Sequence, residues 1–348
     1  MQAVGEALRA QQTTRIVLMH GTFVGSDAGG VFNALDRFLP GAFGLLGNWW
    51  SDAIKLFVGD RGNFTDAYAG KLQDALTNAG QTEIAVLNKR WGSENYHLGR
   101  ANAAVALISE LLANPPREAE RVLFVGHSHA GNVFALMTQL LSGDTQRVQA
   151  FFDAARSYYE GPQSTTRDGQ VWNKVRGQLL EAPLPFAASQ LDFVTLGTPI
   201  RYSWHPHGFG KLLHVVFHRP SEQLPEYLVR FPPSLSELQH ATGGDYVQAL
   251  GIAGTDLPPH PIPHVVLANA RLEELLQDGL TGTLREHWEV GQRVPDVGET
   301  LLVDYGDVGA NILTHAAGHA VYTLESQMLF LFEQIVESQS RAAGLPTN

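Results

Sequence analysis

The stretch from Arg121 to Asn132, RVLFVGHSHAGN, carries the residues with the clearest chemical potential. A serine hydroxyl is a weak nucleophile in water, and it attacks a carbonyl only where the backbone presents it and a base takes its proton. Val122 to Val125 form an apolar run with the character of a strand buried on both faces. Gly126, His127, Ser128, His129, Ala130 and Gly131 break that run, and Val133, Leu136, Met137, Leu140 and Leu141 then recur three and four apart, as in a helix. Strand, sharp turn with a central serine, and helix together make a nucleophile elbow. Small residues flank Ser128 because the turn is strained and the helix must pack closely. The serine is then held at the carboxyl end of the sheet, over a helix N-terminus whose dipole favours a developing oxyanion. The fifth position of the G-x-S-x-G pattern is Ala130, one methyl larger than glycine.

Acyl transfer also needs two N–H donors for the oxyanion. One is the amide of His129, the residue after the serine. The other is expected from the loop after an earlier strand, Arg15 to Met19, which runs into His20, Gly21, Thr22 and Phe23; the amide of Thr22 is the candidate. Phe23 and His127 flank these donors and are expected to line the substrate pocket.

These groups need a scaffold. Strands are expected at Glu83 to Leu87, Leu191 to Leu196, Leu212 to Phe217, Tyr246 to Ala253 and Thr300 to Val303, besides the two already named. Helices are expected at Thr65 to Asn78, Leu98 to Leu112, Ala270 to Gln277 and Leu324 to Val336, with Pro115 and Pro116 stopping the second. Alternating strands and helices predict an α/β domain, a mostly parallel sheet with helices on both faces. Residues 27–63 are rich in glycine and aromatics, including Trp49 and Trp50, and have no clean period; together with residues 148–188 they read as insertions forming a lid or pocket wall.

Composition narrows the classes. The 348 residues are 44% hydrophobic and 17% charged, enough apolar material for a sizeable core and too little charge for a disordered chain. One large domain is the expectation. A net charge of −11 repels phosphate backbones and anionic membrane surfaces, which argues against nucleic acid as a partner. With no cysteine, thiolate catalysis and disulfides are excluded. Neither a secretory apolar core nor a membrane-spanning run is visible, so a cytoplasmic location is expected.

With HGT at 20–22, GHSHAG at 126–131, LGTP at 196–199 and GHAVYT at 318–323, the chain resembles the α/β-hydrolase fold family, and within it bacterial serine esterases and lipases with a GHSHGG-type elbow. RWGSENYHLGR at 90–100 is similar to the WSG-x-N-x-H segment that precedes the elbow in some of them, with Trp91-Gly92-Ser93 departing from the Trp-Ser-Gly order. The resemblance implies a carboxylic ester hydrolase acting through an acyl-enzyme on a small-molecule or lipid ester, with no cofactor. The aromatic insertion adds the expectation of apolar acyl groups.

The family's order is nucleophile, acid, histidine. Ser128 is then the nucleophile. His319 is chosen as base because it lies between the final strand and the terminal helix, with His315 one turn earlier as its rival. Asp256 is chosen as acid because it ends the run Tyr246 to Ala253, with Asp304, at the end of the last strand, as runner-up. Two other readings compete. One is a scaffold that keeps the fold without turnover. The other is a metal-dependent hydrolase using the histidine pairs 205/207, 214/218, 260/264 or 315/319; none has the glutamate of H-E-x-x-H, and prolines near His205 and His260 disfavour helices there. No metal site is expected.

Overall fold

Strand residues here are apolar on both faces, which drives a sheet covered on both sides by helices. A computed structural model describes residues 1–21, 64–77, 83–229, 234–252, 256, 259–277, 293–295 and 297–342. The chain begins with α1 (Gln2–Ala10) and β1 (Thr13–Met19). Next come α2 (Asp66–Leu76), β2 (Ala85–Lys89), α3 (His97–Ala113) and β3 (Arg121–His127). The middle holds α4 (Ala130–Leu140), α5 (Thr145–Tyr159), α6 (Arg167–Glu181), β4 (Leu191–Leu196) and β5 (Lys211–Phe217). Then follow α7 (Leu235–His240), α8 (Tyr246–Ile252), α9 (Pro263–Gln277), β6 (Glu299–Val303), α10 (Ile312–His315) and α11 (Met328–Ala342).

The six strands form one sheet in the order β2-β1-β3-β4-β5-β6, with every neighbouring pair parallel. From β1 the chain moves outward to β2 and then returns past β1 to β3. The loops leaving the carboxyl ends of β1 and β3 therefore part in opposite directions, and such a reversal leaves a crevice where ligands enter open parallel sheets.

Side chains alternate between two cores. Val17, Met19, Val122, Phe124, Leu191 and Phe193 face a core shared with α3, α4, α5, α6 and α9. Ile16, Leu18, Leu123, Val125, Val194 and Leu196 face a second, shared with α1, α2 and α11. Among the described residues no helix is long and apolar enough to cross a membrane.

One expectation changes. The run expected as a strand at Tyr246 to Ala253 forms, over its described residues Tyr246–Ile252, the helix α8: a short apolar run has no periodicity of its own, and here burial of Tyr246 and Ala249 on one side selects the helix. Residues 148–188 contribute the helices α5 and α6 to the first core. Phe151, Phe152 and Tyr159 of α5 gather around the fully buried Trp172 of α6, while α5 packs against α9 and α6 against α3. The insertion expected at 27–63 lies outside the described residues.

The ring of Phe193, 1% exposed, contacts Phe124 at 5.1 Å, Phe134 at 5.4 Å and Trp204 at 6.0 Å. Phe193→Ala is expected to lower unfolding free energy by about 3–5 kcal/mol in urea titrations. A loss below about 1 kcal/mol would mean that this cluster does not anchor the sheet.

Candidate active site

Ser128 follows directly on β3 with φ +57°, a left-handed conformation that costs a serine energy and turns the chain abruptly into α4. Its backbone is fixed on both sides. The Ser128 N–H donates to the Leu196 carbonyl at 2.8 Å, and the Ser128 carbonyl accepts from Thr198 Oγ1 at 2.7 Å and from the Gly131 N–H at 3.1 Å. A Cβ on Gly131 would lie 2.2 Å from Thr198 Oγ1, so only glycine allows this approach. The methyl of Ala130 is accommodated because the residue opposite is Gly126, where an added Cβ would come within 3.1 Å of it. The departure from a glycine at position 130 is thus matched by the one at 126.

The end of β1 packs on the serine itself. A Cβ on Gly21 would meet Ser128 Cβ at 2.4 Å and Oγ at 3.0 Å. His129 is the N-cap of α4, so its amide belongs to the first-turn N–H groups that a helix leaves without internal acceptors. Thr22, the other expected donor, lies outside the described residues, as do Phe23, Trp49 and Trp50. The carbonyl of His20 accepts from Trp91 Nε1 at 2.8 Å, and Ser93 Oγ lies 3.4 Å from His20 Nδ1. The segment 90–100 therefore braces the chain just after β1, at His20.

The base expected at 319 is paired with a carboxylate that the sequence reading passed over. His319 Nδ1 donates to Asp245 Oδ2 at 2.7 Å, with the imidazole 2% and the carboxylate 0% exposed. Tyr322 Oη donates to the same oxygen at 2.9 Å, and the Gln248 N–H donates to Asp245 Oδ1 at 2.9 Å. Burial pushes the Asp245 carboxyl up, yet the facing His319 imidazole and its hydrogen bond, the Gln248 N–H and the nearby Arg293 guanidinium outweigh it and hold the carboxyl below its ordinary value. Asp245 precedes α8, and Asp245-x-x-Gln248 has the pattern of a helix N-cap. That pattern was the available signal.

The loop carrying His319 is shaped to reach this acid. Ala316, Ala317 and Gly318 have φ of +54°, +51° and +92°, three left-handed residues in succession. A Cβ on Gly318 would sit 2.5 Å from the Gly244 carbonyl and 3.0 Å from Asp245 Cα, so the two loops touch backbone to backbone. The Tyr246 N–H donates to the Ala317 carbonyl at 3.0 Å.

Asp256, expected as the acid, has different partners. Arg100 Nη2 donates to its Oδ1 at 2.5 Å, Arg201 Nη2 donates to Oδ2, and His97 Nε2 stands 3.2 Å from Oδ2. Burial raises its carboxyl, but the two guanidinium groups reverse this and hold it well below the usual carboxylate range. Arg100 also donates to Tyr202 Oη at 2.8 Å and to Asn95 Oδ1 at 3.1 Å, and Tyr202 Oη lies 2.9 Å from His97 Nδ1. The cluster ties the start of α3 to the loop after β4.

The other candidates are also engaged elsewhere. His315 donates from Nε2 to the Gln239 carbonyl at 3.0 Å and accepts the Gly318 N–H on Nδ1 at 3.1 Å, which shapes the loop and leaves neither nitrogen for Ser128. Asp304 is half exposed, accepts the Gly306 N–H at 2.8 Å and faces Arg219. His214 lies between Thr195 Oγ1 at 2.7 Å and the Val297 carbonyl at 3.0 Å. Among the described residues no group of three or more histidine, aspartate or glutamate side chains is arranged to hold a metal ion.

Neither the protein-family models nor the curated proteins include a match to this chain. The reading of the site therefore rests on its own geometry: a strained serine at a helix N-terminus, and a buried imidazole that contacts the ring of the preceding residue, His127, and whose Nδ1 is hydrogen-bonded to a buried carboxylate.

Because the Asp245 carboxyl is held below its unfolded value, its contribution to stability is present above the ordinary carboxylate pKa and is lost as pH falls through the folded one. The stability gap between the parent and Asp245→Asn is accordingly expected at pH 7 and should close below about pH 4. Urea midpoints at both pH values check this; an unchanged gap would assign the loss to packing.

Proposed function

We propose that the protein is a serine hydrolase of the α/β-hydrolase fold that cleaves carboxylic esters. The observation carrying this reading is the His319–Asp245 pair, delivered by the loops that follow the last strands of the sheet whose central strand ends in the Ser128 elbow. The residues follow in the order serine, aspartate, histidine, the order of the triad in this fold. The strand reversal between β1 and β3 supports it too, since it brings the oxyanion loop and the elbow to the two sides of one crevice.

The chemistry follows from the donors and acceptors. Ser128 Oγ attacks the acyl carbonyl while His319 Nε2 takes its proton, and the tetrahedral oxyanion is stabilised by the His129 amide and a second amide from the loop after β1. Collapse breaks the bond to the alcohol, which leaves with the proton held by His319. Water then attacks the acyl-enzyme, giving its proton to His319, and the carboxylic acid departs as Ser128 recovers its hydrogen. Asp245 keeps the proton of His319 on Nδ1, so that Nε2 is the basic nitrogen, and it stabilises the imidazolium that forms. The substrate belongs to the small-molecule or lipid esters with apolar acyl groups; that preference comes from residues 38–57, outside the described part of the chain.

Ser128→Ala is expected to abolish p-nitrophenyl ester hydrolysis and labelling by a fluorophosphonate, with circular dichroism unchanged. Labelling elsewhere, or turnover near the parent rate, would overturn the assignment; a parent protein that neither labels nor turns over is the scaffold outcome. Asp245→Asn should lower kcat by about 10⁴-fold through loss of the correct imidazole tautomer. Asp256→Asn should cost less in kcat and more in stability, because it leaves two buried guanidinium groups facing an amide. Kinetics beside urea unfolding decide between them, and the opposite ranking would return the acid role to Asp256.

A further inference from the structure

The residue before the serine, His127, ends β3 and is 1% exposed. Its Nε2 lies 2.9 Å from the His319 carbonyl oxygen, and its ring stands 4.4 Å from the His319 ring, centroid to centroid, with a 38° angle between the planes. A carbonyl oxygen only accepts, so the proton of His127 is on Nε2. Nδ1 is buried and has no hydrogen-bond partner among the described residues, so a second proton there would place a charge in the interior with none of them to satisfy it. His127 is therefore a neutral ring of fixed tautomer. Burial first, and then the neighbouring His319, push its pKa down to about 3.

We propose that His127 is a positioning residue for the His319 base, its Nε2–H holding the His319 carbonyl and its uncharged ring backing the His319 imidazole. The inference rests on the serine hydrolase reading and adds a residue to it. The loop bearing His319 needs such a hold. Three left-handed residues precede His319, and a run of that kind has no intrinsic preference for its own shape. Asp245 holds the ring at Nδ1. The carbonyl bond from β3 fixes the backbone of the same residue, and it does so from the residue adjoining Ser128. Nucleophile and base are thus referenced to each other through one strand end. Neutrality matters as well, because a cationic ring at 4.4 Å would oppose the imidazolium that His319 must become during turnover.

Side-chain geometry provides the test. In His127→Gln the amide nitrogen falls where Nε2 stands, whereas in His127→Asn it falls where Nδ1 stands, out of reach of the His319 carbonyl; His127→Leu has no donor. The asparagine and leucine variants are expected to lose about 10²-fold in kcat with KM little changed, as for a misplaced catalytic group, and the glutamine variant to recover most of the loss. Proton NMR adds a reading free of turnover. The downfield Nδ1–H resonance of His319, sharpened by Asp245, should persist in the parent and in His127→Gln and broaden or vanish in the other two. Full kcat and an unaltered resonance in His127→Asn or His127→Leu would overturn the proposal, as would equal behaviour of asparagine and glutamine variants. If leucine prevents folding, the asparagine and glutamine pair still decides. If the parent shows no esterase activity and Ser128 takes no fluorophosphonate, the hydrolase reading fails, and the resonance alone then reports whether His127 holds His319.

Discussion

The hydrogen bond between Asp245 and His319 is the interaction on which the geometry of this site depends. A carboxylate removed completely from water is tolerated only if its lone pairs are filled by well-placed donors. Here the donors come from three directions: an imidazole from the loop after β6, a phenol from Tyr322, and a backbone amide from the first turn of α8. Tyr322 Oη in turn accepts the Phe217 N–H at 2.8 Å, at the end of β5. The carboxylate thus links the ends of two strands to a helix, and moving any one of them would strip a donor from a buried charge. Gly197, with φ +56°, completes the enclosure, since a Cβ there would fall 2.5 Å from Asp245 Oδ2.

Two carboxylates, Asp245 buried and Asp256 partly buried, both ionise more readily than in water, for different reasons. Asp256 is clamped by permanent cations and is bound to remain an anion whose partners do not change. Asp245 faces an imidazole and not a fixed cation, and the two share a hydrogen bond. Ionisation alone would not separate the two; the partner does. Asp256 secures the walls formed by α3 and the loop after β4, and Asp245 acts on the imidazole.

Where the residues were local in sequence, their arrangement was legible. Val122 to Val125 had to be a strand buried on both faces, and the small residues around Ser128 had to be a tight turn into a helix, because neither inference needs a distant partner. His319 could be placed because the elements that flank it are strongly patterned. Asp245 was hidden by distance: it lies 28 positions beyond the end of β5, with α7 in between, and the apolar run after it reads as strand or helix with equal ease. The preference for Asp256 followed from that misread run. Its partners are Arg100 and Arg201, which lie 156 and 55 positions away in the chain and carry no local mark of the pairing.

The left-handed run at Ala316, Ala317 and Gly318 has a consequence for moving the proposed chemistry elsewhere. Two alanines held against the natural handedness of the chain each cost roughly 1–2 kcal/mol, and nothing in their own side chains returns it. The shape is imposed from outside, by the backbone of Gly244, the Tyr246 amide and the two nitrogens of His315. A peptide with the sequence of this loop would relax into something else. Grafting the serine, aspartate and histidine onto another scaffold would accordingly transfer the functional groups without the mould that aims them, and the smallest portable unit extends at least to His315 and to the two glycines before Asp245.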